Sequence, residues 1–312
     1  MMGQSESEPV GLVFSGGGAK GAFQAGVWKA MCERGIADRV RVISGTSVGA
    51  INGVAIALLR NWTRVRDLWF DHVQDILSPN FDFVNPVKVI PLIKNAVCGA
   101  PFPFHGIFSR PGLVALMEDA VTQCVSDTGI DVYATALACR GNVLQTFDSQ
   151  GYRVRRFHLN DERSPDRLRQ MLLASSAIPW GFDPVDIDGV RYVDGSFVGG
   201  DNVPIAPILE NHPEIKTIYV VRCNSRQVEP FAGFSSPGRR IVEICPRQTL
   251  PGILDGLDSV VGGLGLLDGS TFKSLSGDLS FRADYARQYF EAGYADGLRA
   301  LSSKILAAAL KW

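Results

Sequence analysis

Three stretches of this chain carry residue types and spacings that can do chemistry: Gly16-Gly17-Gly18-Ala19-Lys20-Gly21, Gly45-Thr46-Ser47-Val48-Gly49, and Asp194-Gly195-Ser196. The first offers backbone amides that an oxyanion can approach closely, because glycines present no side chain. The second holds a serine between two glycines, and the third supplies a carboxylate. A serine hydroxyl is scarcely ionised at neutral pH, so it becomes a nucleophile only with a base in reach and a site for the charge that develops on the attacked carbonyl. Asp194 is the candidate base, and Gly16, Gly17 and Gly18 are the candidate oxyanion donors.

These parts need rigid elements to hold them. Val10 to Ser15 is a short apolar run ending in glycines, which predicts a buried strand entering a turn, and Ala22 to Arg34 has helical apolar spacing. The glycines therefore fall at a helix N-terminus, where unpaired N–H groups and the helix dipole favour negative charge. The layout then repeats. Val40 to Ser44 predicts a strand and Val48 to Arg60 a helix, which puts Ser47 on a strand-to-helix elbow that Gly45 and Gly49 leave room for. A strand around Val190 to Val193 delivers Asp194.

Other chemistries fit less well. A Ser-His-Asp triad on an α/β-hydrolase scaffold runs serine, acid, histidine along the chain. Of the four histidines, His72, His105, His158 and His212, only His212 follows Asp194, and the last hundred residues contain none. Surface or structural roles suit all four. A dinucleotide site wants an acid closing the second strand, but that strand runs into Gly45-Thr46-Ser47, and Asp38 precedes it. A nucleotide P-loop fails because Lys20 is followed by Gly21 rather than by Ser or Thr.

On these motifs the sequence resembles the patatin-like phospholipases, which hydrolyse lipid acyl esters with a serine–aspartate dyad. Gly16 to Gly21, including Lys20 and Gly21, resembles the family's glycine-rich oxyanion motif. Gly45 to Gly49 resembles its nucleophile elbow, and Asp194-Gly195-Ser196 its aspartate–glycine motif. Ala174-Ser175-Ser176-Ala177-Ile178-Pro179 is similar to the family's approach to the aspartate strand. The resemblance implies Ser47 as nucleophile, Asp194 as proton acceptor and the Gly16–Gly18 loop as oxyanion hole, with no metal and no cofactor. One departure is Ser196, where the family usually has glycine or alanine. The substrate implied is a phospholipid, lysophospholipid or other acyl-ester lipid. A lipid-binding pseudoenzyme without turnover, and an activator-gated toxin or defence effector, remain alternatives.

Composition is compatible with this reading. The chain has 312 residues, 46% of them hydrophobic, enough for a substantial core. A net charge of −1 and a pI near 6.4 give no general attraction to nucleic acid or anionic membrane. The six cysteines lack zinc or C-x-x-C spacing and read as reduced thiols in a cytoplasmic protein, peripheral at membranes if it meets them.

The expected fold is α/β, a three-layer sandwich with a central, mainly parallel sheet plus antiparallel additions. Residues 1–9 are expected to form a disordered tail, and 10–312 a single catalytic domain. Asp131 to Cys139, Val143 to Phe147 and Tyr152 to Leu159 predict successive antiparallel strands turning at Gly141 and Gly151. Pro165 to Ser175 predicts a helix capped by Ser164, Thr217 to Cys223 and Arg240 to Cys245 two more strands, and Phe281 to Leu310 a terminal helix or helix pair. Two apolar segments, 79–108 with its phenylalanines and prolines and 251–270 with its glycines and leucines, suit a roof over an acyl groove, a membrane contact, or a cover for the core.

Overall fold

The computed structural model describes residues 8–73, 113–114, 117–118, 121, 123–139, 152–179, 182–197, 200–226, 238–252 and 280–302. The expected strand at 143–147 with its turns, the segment 79–108, nearly all of 251–270 and the chain beyond 302 lie outside them.

Eight strands form one sheet among the described residues: β1 (Val10–Phe14), β2 (Val40–Thr46), β3 (Asp131–Cys139), β4 (Tyr152–His158), β5 (Val185–Ile187), β6 (Val190–Asp194), β7 (Thr217–Val221) and β8 (Arg240–Ile244). Their order is β5-β6-β3-β2-β1-β7-β8, with β4 also paired to β3. The β3–β2–β1–β7–β8 block is parallel, and β4, β5 and β6 add antiparallel pairings. Every residue of β1 is buried, as expected of a parallel strand covered on both faces. β3 and β4 form as strands where the sequence placed them, but they pair directly and antiparallel, whereas a meander through 143–147 would have set them running the same way; β5, paired to β6 across a turn at Asp188-Gly189, was not legible as a strand.

Helices α1 (Gly21–Glu33), α2 (Val48–Leu59), α3 (Trp62–His72), α4 (Pro165–Ser175), α5 (Ala206–Asn211) and α6 (Ala283–Ala300) surround the sheet. Asn61 caps α3 by accepting from the N–H groups of Thr63 and Arg64, and Ser164 caps α4 through Arg167 N–H, with Pro165 opening the helix. The larger core lies between the sheet and α1, α2, α3, α4 and α6. A smaller one, built from Val13, Val42, Tyr133, Ile218 and Val220, lies on the other face against Ile205 and Ile208 around α5.

Helix α6 packs on α1 backbone to backbone: a methyl group on Gly26 would come within 2.0 Å of Phe290 O, and one on Gly293 within 1.9 Å of Phe23 O. The first βα turn is thus clamped by an element nearly three hundred residues along the chain. Among the described residues no helix is long and apolar enough to cross a membrane.

Candidate active site

The site is assembled at the carboxyl ends of β1, β2 and β6. Strand β1 is flanked by β2 on one side and β7 on the other, so the sheet order reverses there, a position where open α/β sheets form ligand crevices. Gly16, Gly17 and Gly18 follow β1. Gly18 takes φ 51°, a left-handed conformation that glycine adopts without strain, and the short turn Gly18–Lys20 leads directly into α1.

Ser47 joins β2 to α2 with φ 55° and ψ −126°, far from any well favoured for a residue with a side chain. The flanking glycines make this possible. A methyl group on Gly45 would lie 2.4 Å from Gly49 C and O, and one on Gly49 would lie 2.5 Å from Phe14 O. Ser47 N–H donates to Ser175 Oγ at 2.9 Å, and Ser175 Oγ donates to Thr135 O at 2.6 Å. The end of α4 therefore pins the elbow to β3. The sequence had singled out the segment around Ser175 without giving this serine a role.

Register explains how Asp194 reaches the same place. β4 occupies one edge of β3 from Tyr133 to Cys139. On the other edge β2 pairs with Asp131 to Thr135, and β6 takes over from Ala136 to Ala138. Thr46 is opposite Thr135, and Asp194 is opposite Ala136, the next residue. Two strands that meet end to end along one partner bring the residue after Thr46 beside Asp194, although 147 positions separate Ser47 and Asp194 in sequence. Paired residues share a face, so Asp194 lies on the face of Ala136, which belongs to the larger, helix-covered core. Ser47 is 4% exposed and Asp194 1%.

Ser196 donates to Asp194 Oδ1 through both its N–H at 2.8 Å and its hydroxyl at 2.6 Å. The departure from the family pattern at this position thus adds a bond to the carboxylate, one that glycine or alanine could not make. Gly195 is required: a methyl group there would lie 2.3 Å from Thr135 O. The glycine loop lies against Ser47 and Ser196, since a methyl group on Gly16 would sit 3.3 Å from Ser47 Cβ and 3.2 Å from Ser196 Cβ. Gly16 itself departs from the expectation that it serves as an oxyanion donor. Its amide hydrogen is taken by Asn202 Oδ1 at 2.9 Å, with Asn202 O at 3.3 Å. Lys20 is buried, and its Nζ donates to Asn224 Oδ1 beyond the end of β7.

An apolar pocket opens from Ser47 and Gly18, lined by Ile51, Ala55, Leu68, Leu113, Phe182 and Phe281. Trp69 and Asn52, which also line it, are tied up: Trp69 Nε1 donates to Asn52 Oδ1 at 3.0 Å, and Asn52 Nδ2 donates to Gly21 O and Gln24 Oε1. Gln24 in turn donates to Ser15 O at 2.7 Å, linking the first three helices to the end of β1. A buried network satisfied in this way holds its members rigidly.

The histidines beside Tyr133 lie elsewhere. His158 bridges Asp131 and Asp161 and stacks on Tyr133, and His212 Nε2 contacts the Tyr133 hydroxyl at 3.1 Å. Burial, helped by Asp131, Asp161 and Glu214, pushes the Tyr133 phenol up to about 12. Tyr133 and Ala136 belong to opposite faces of β3, so this cluster and Asp194 are separated by the sheet.

A serine at a strained strand-to-helix elbow, beneath a glycine loop and with a carboxylate brought up on a neighbouring strand, places the chain among α/β proteins with a serine at a strand-turn-helix elbow. Within that class the chain belongs to the patatin-like phospholipase family, whose model matches residues 12–209. It is 33% identical over 81 residues to patatin-like phospholipase domain-containing protein 7 of Rattus norvegicus, covering 25% of this chain and 6% of that protein. It is 54% identical over 48 residues to lysophospholipase nte1 of Aspergillus terreus, covering 15% of this chain and 3% of that one. Among solved structures, human GIVD cytosolic phospholipase A2 superposes with a TM-score of 0.51 at 14% identity, over 99% of this chain and 61% of that chain, a likeness of fold.

Proposed function

We propose that this chain is a lipid acyl hydrolase that cleaves carboxylic esters of phospholipids or lysophospholipids through an acyl-enzyme. In the proposed cycle the Ser47 hydroxyl proton passes to the Asp194 carboxylate as Oγ bonds to the ester carbonyl carbon, and the carbonyl π pair moves onto oxygen. The amides of Gly17 and Gly18, at the start of a helical turn where N–H groups lack intrahelical acceptors, receive that oxyanion. Collapse expels the glycerol oxygen, which takes the proton from Asp194. Water then repeats the sequence on the acyl-serine, and the fatty acid leaves.

The observation that carries this reading is the register along β3, with Thr46 and Asp194 opposite consecutive residues. The apolar pocket beside Ser47 supports an acyl chain as the group transferred. The names of the relatives, phospholipase and lysophospholipase, support the substrate class.

The test is incubation of the purified protein with vesicles made from a total lipid extract, reading released fatty acids and lysolipids by mass spectrometry. A long-chain fluorophosphonate is used in parallel, and its adduct is mapped by peptide sequencing. The wild-type protein releases fatty acid and carries the adduct on Ser47; Ser47→Ala releases less than about 10⁻⁴ as much per unit time and carries none. Fatty acid release by Ser47→Ala at the wild-type rate, or an adduct on another residue, overturns the assignment.

A further inference from the structure

The two-residue segment Asp201-Asn202 touches all three parts of the candidate site. Asn202 Oδ1 accepts the Gly16 amide at 2.9 Å and Asn202 O the same amide at 3.3 Å. The Asp201 carbonyl accepts the Thr46 hydroxyl at 2.7 Å, one residue before the nucleophile, and Asp201 N–H donates to Gly195 O at 2.9 Å, one residue after the carboxylate. The segment is itself held from outside. Arg156, opposite Thr135 on β4, pairs with the Asp201 carboxylate at 3.1 Å. The fit at Gly16 is tight, because a methyl group there would lie 2.9 Å from Asn202 Oδ1.

Resting on the reading above, we propose that Asn202 is a positioning residue of the hydrolytic reaction. Its side-chain oxygen holds the first amide of the glycine loop and so sets where the next two amides point. A loop of three successive glycines has little intrinsic preference for one conformation, and an oxyanion hole works only when its donors are fixed before the charge appears. The side-chain bond to Gly16 supplies that fixation. The backbone contacts of residues 201 and 202 keep the loop in register with the elbow and the aspartate. Asn202 touches neither the reacting carbonyl nor Ser47 in this scheme; it acts through Gly17 and Gly18.

Transition-state binding should therefore depend on Asn202, and ground-state binding should not. The experiment compares wild type, Asn202→Ala and Asn202→Asp in three measurements: kcat and KM on a fatty acyl p-nitrophenyl ester, the inhibition constant of a long-chain alkyl trifluoromethyl ketone, and the affinity of the corresponding unreactive alkyl ether. The ketone adds a serine hydroxyl to give a tetrahedral oxyanion; the ether only fills the pocket. Fluorophosphonate titration counts competent sites so that rates refer to folded protein.

In Asn202→Ala, kcat falls about 10²-fold, the scale of a small misplacement of catalytic groups. Ketone affinity falls by a similar factor, while KM and ether affinity stay within twofold. Asn202→Asp keeps an oxygen able to accept the Gly16 amide and recovers at least tenfold of the kcat loss. Should Asn202→Ala not fold, Asn202→Asp carries the test, with ether affinity held and kcat within tenfold of wild type. Undiminished kcat and ketone affinity in Asn202→Ala overturn the proposal, as does an equal loss for ketone and ether. So does an Asn202→Asp no better than the alanine variant. If instead the wild-type protein neither turns over the ester nor binds the ketone more tightly than the ether, the hydrolase reading itself fails.

Discussion

The chain makes the same kind of turn twice, strand to helix through glycines, and uses it in opposite ways. After β1 the side chains are removed and the turn presents backbone; after β2 one side chain is kept and the backbone is forced around it. Gly18 adopts φ 51° at little cost, whereas Ser47 holds φ 55° because its surroundings dictate it. The strain of such a residue is of the order of 1–3 kcal/mol. It is sustained by close packing at Gly45 and Gly49 and by the Ser175 hydroxyl on Ser47 N–H. Under the proposed chemistry, a donor site and a nucleophile site thus differ mainly in which residue of a common turn carries a Cβ.

Three substitutions sharpen that contrast. Removing the partner of the second turn, Asp194→Asn, keeps the shape and the bonds to Ser196 available but removes the proposed proton acceptor. Ester turnover falls roughly 10²–10⁴-fold with KM little changed, measured by steady-state kinetics. Gly49→Ala attacks the packing that sustains the elbow. A methyl group 2.5 Å from Phe14 O must push β1 and α2 apart, costing about 3 kcal/mol and lowering Tm by roughly 6–12 °C in a thermal scan; an unchanged Tm would mean the elbow has slack. Ser47→Gly has the smallest effect, and of the opposite sign. Glycine tolerates φ 55°, so this variant is inactive yet more stable than Ser47→Ala by about 1 kcal/mol, read from urea midpoints. Equal midpoints would show that the elbow is not strained.

What the sequence made legible was local. The elbow serine, the glycine loop and the aspartate–glycine pair are read from three to six neighbouring residues each, and α1, α2, α4 and the parallel strands followed from short apolar runs. The long-range devices were not legible. Ser175 reaches Ser47 across 128 positions and Asn202 reaches Gly16 across 186, and a serine at a helix end or an asparagine in a loop carries no local mark of such a partner. Sharing of one β3 edge by β2 and β6 is likewise a matter of pairing, which hydrophobic pattern does not specify. The short strand β5 escaped because three residues, Val185-Asp186-Ile187, are too few for their alternation to be read as a strand. The same holds at Gly16: its glycine identity was visible, but the acceptor that takes its amide was not.

The shared edge of β3 also orders events in time. Translation delivers the N-terminal parts first, so the glycine loop, the elbow and β3 are available while residues 185–194 are still being polymerised. Under the proposed chemistry, a ribosome-bound chain at that stage has a nucleophile and no base. The proposed base arrives only when the β5–β6 hairpin docks beyond the end of β2, so under that chemistry the nascent polypeptide is inert toward surrounding lipid at least until that step.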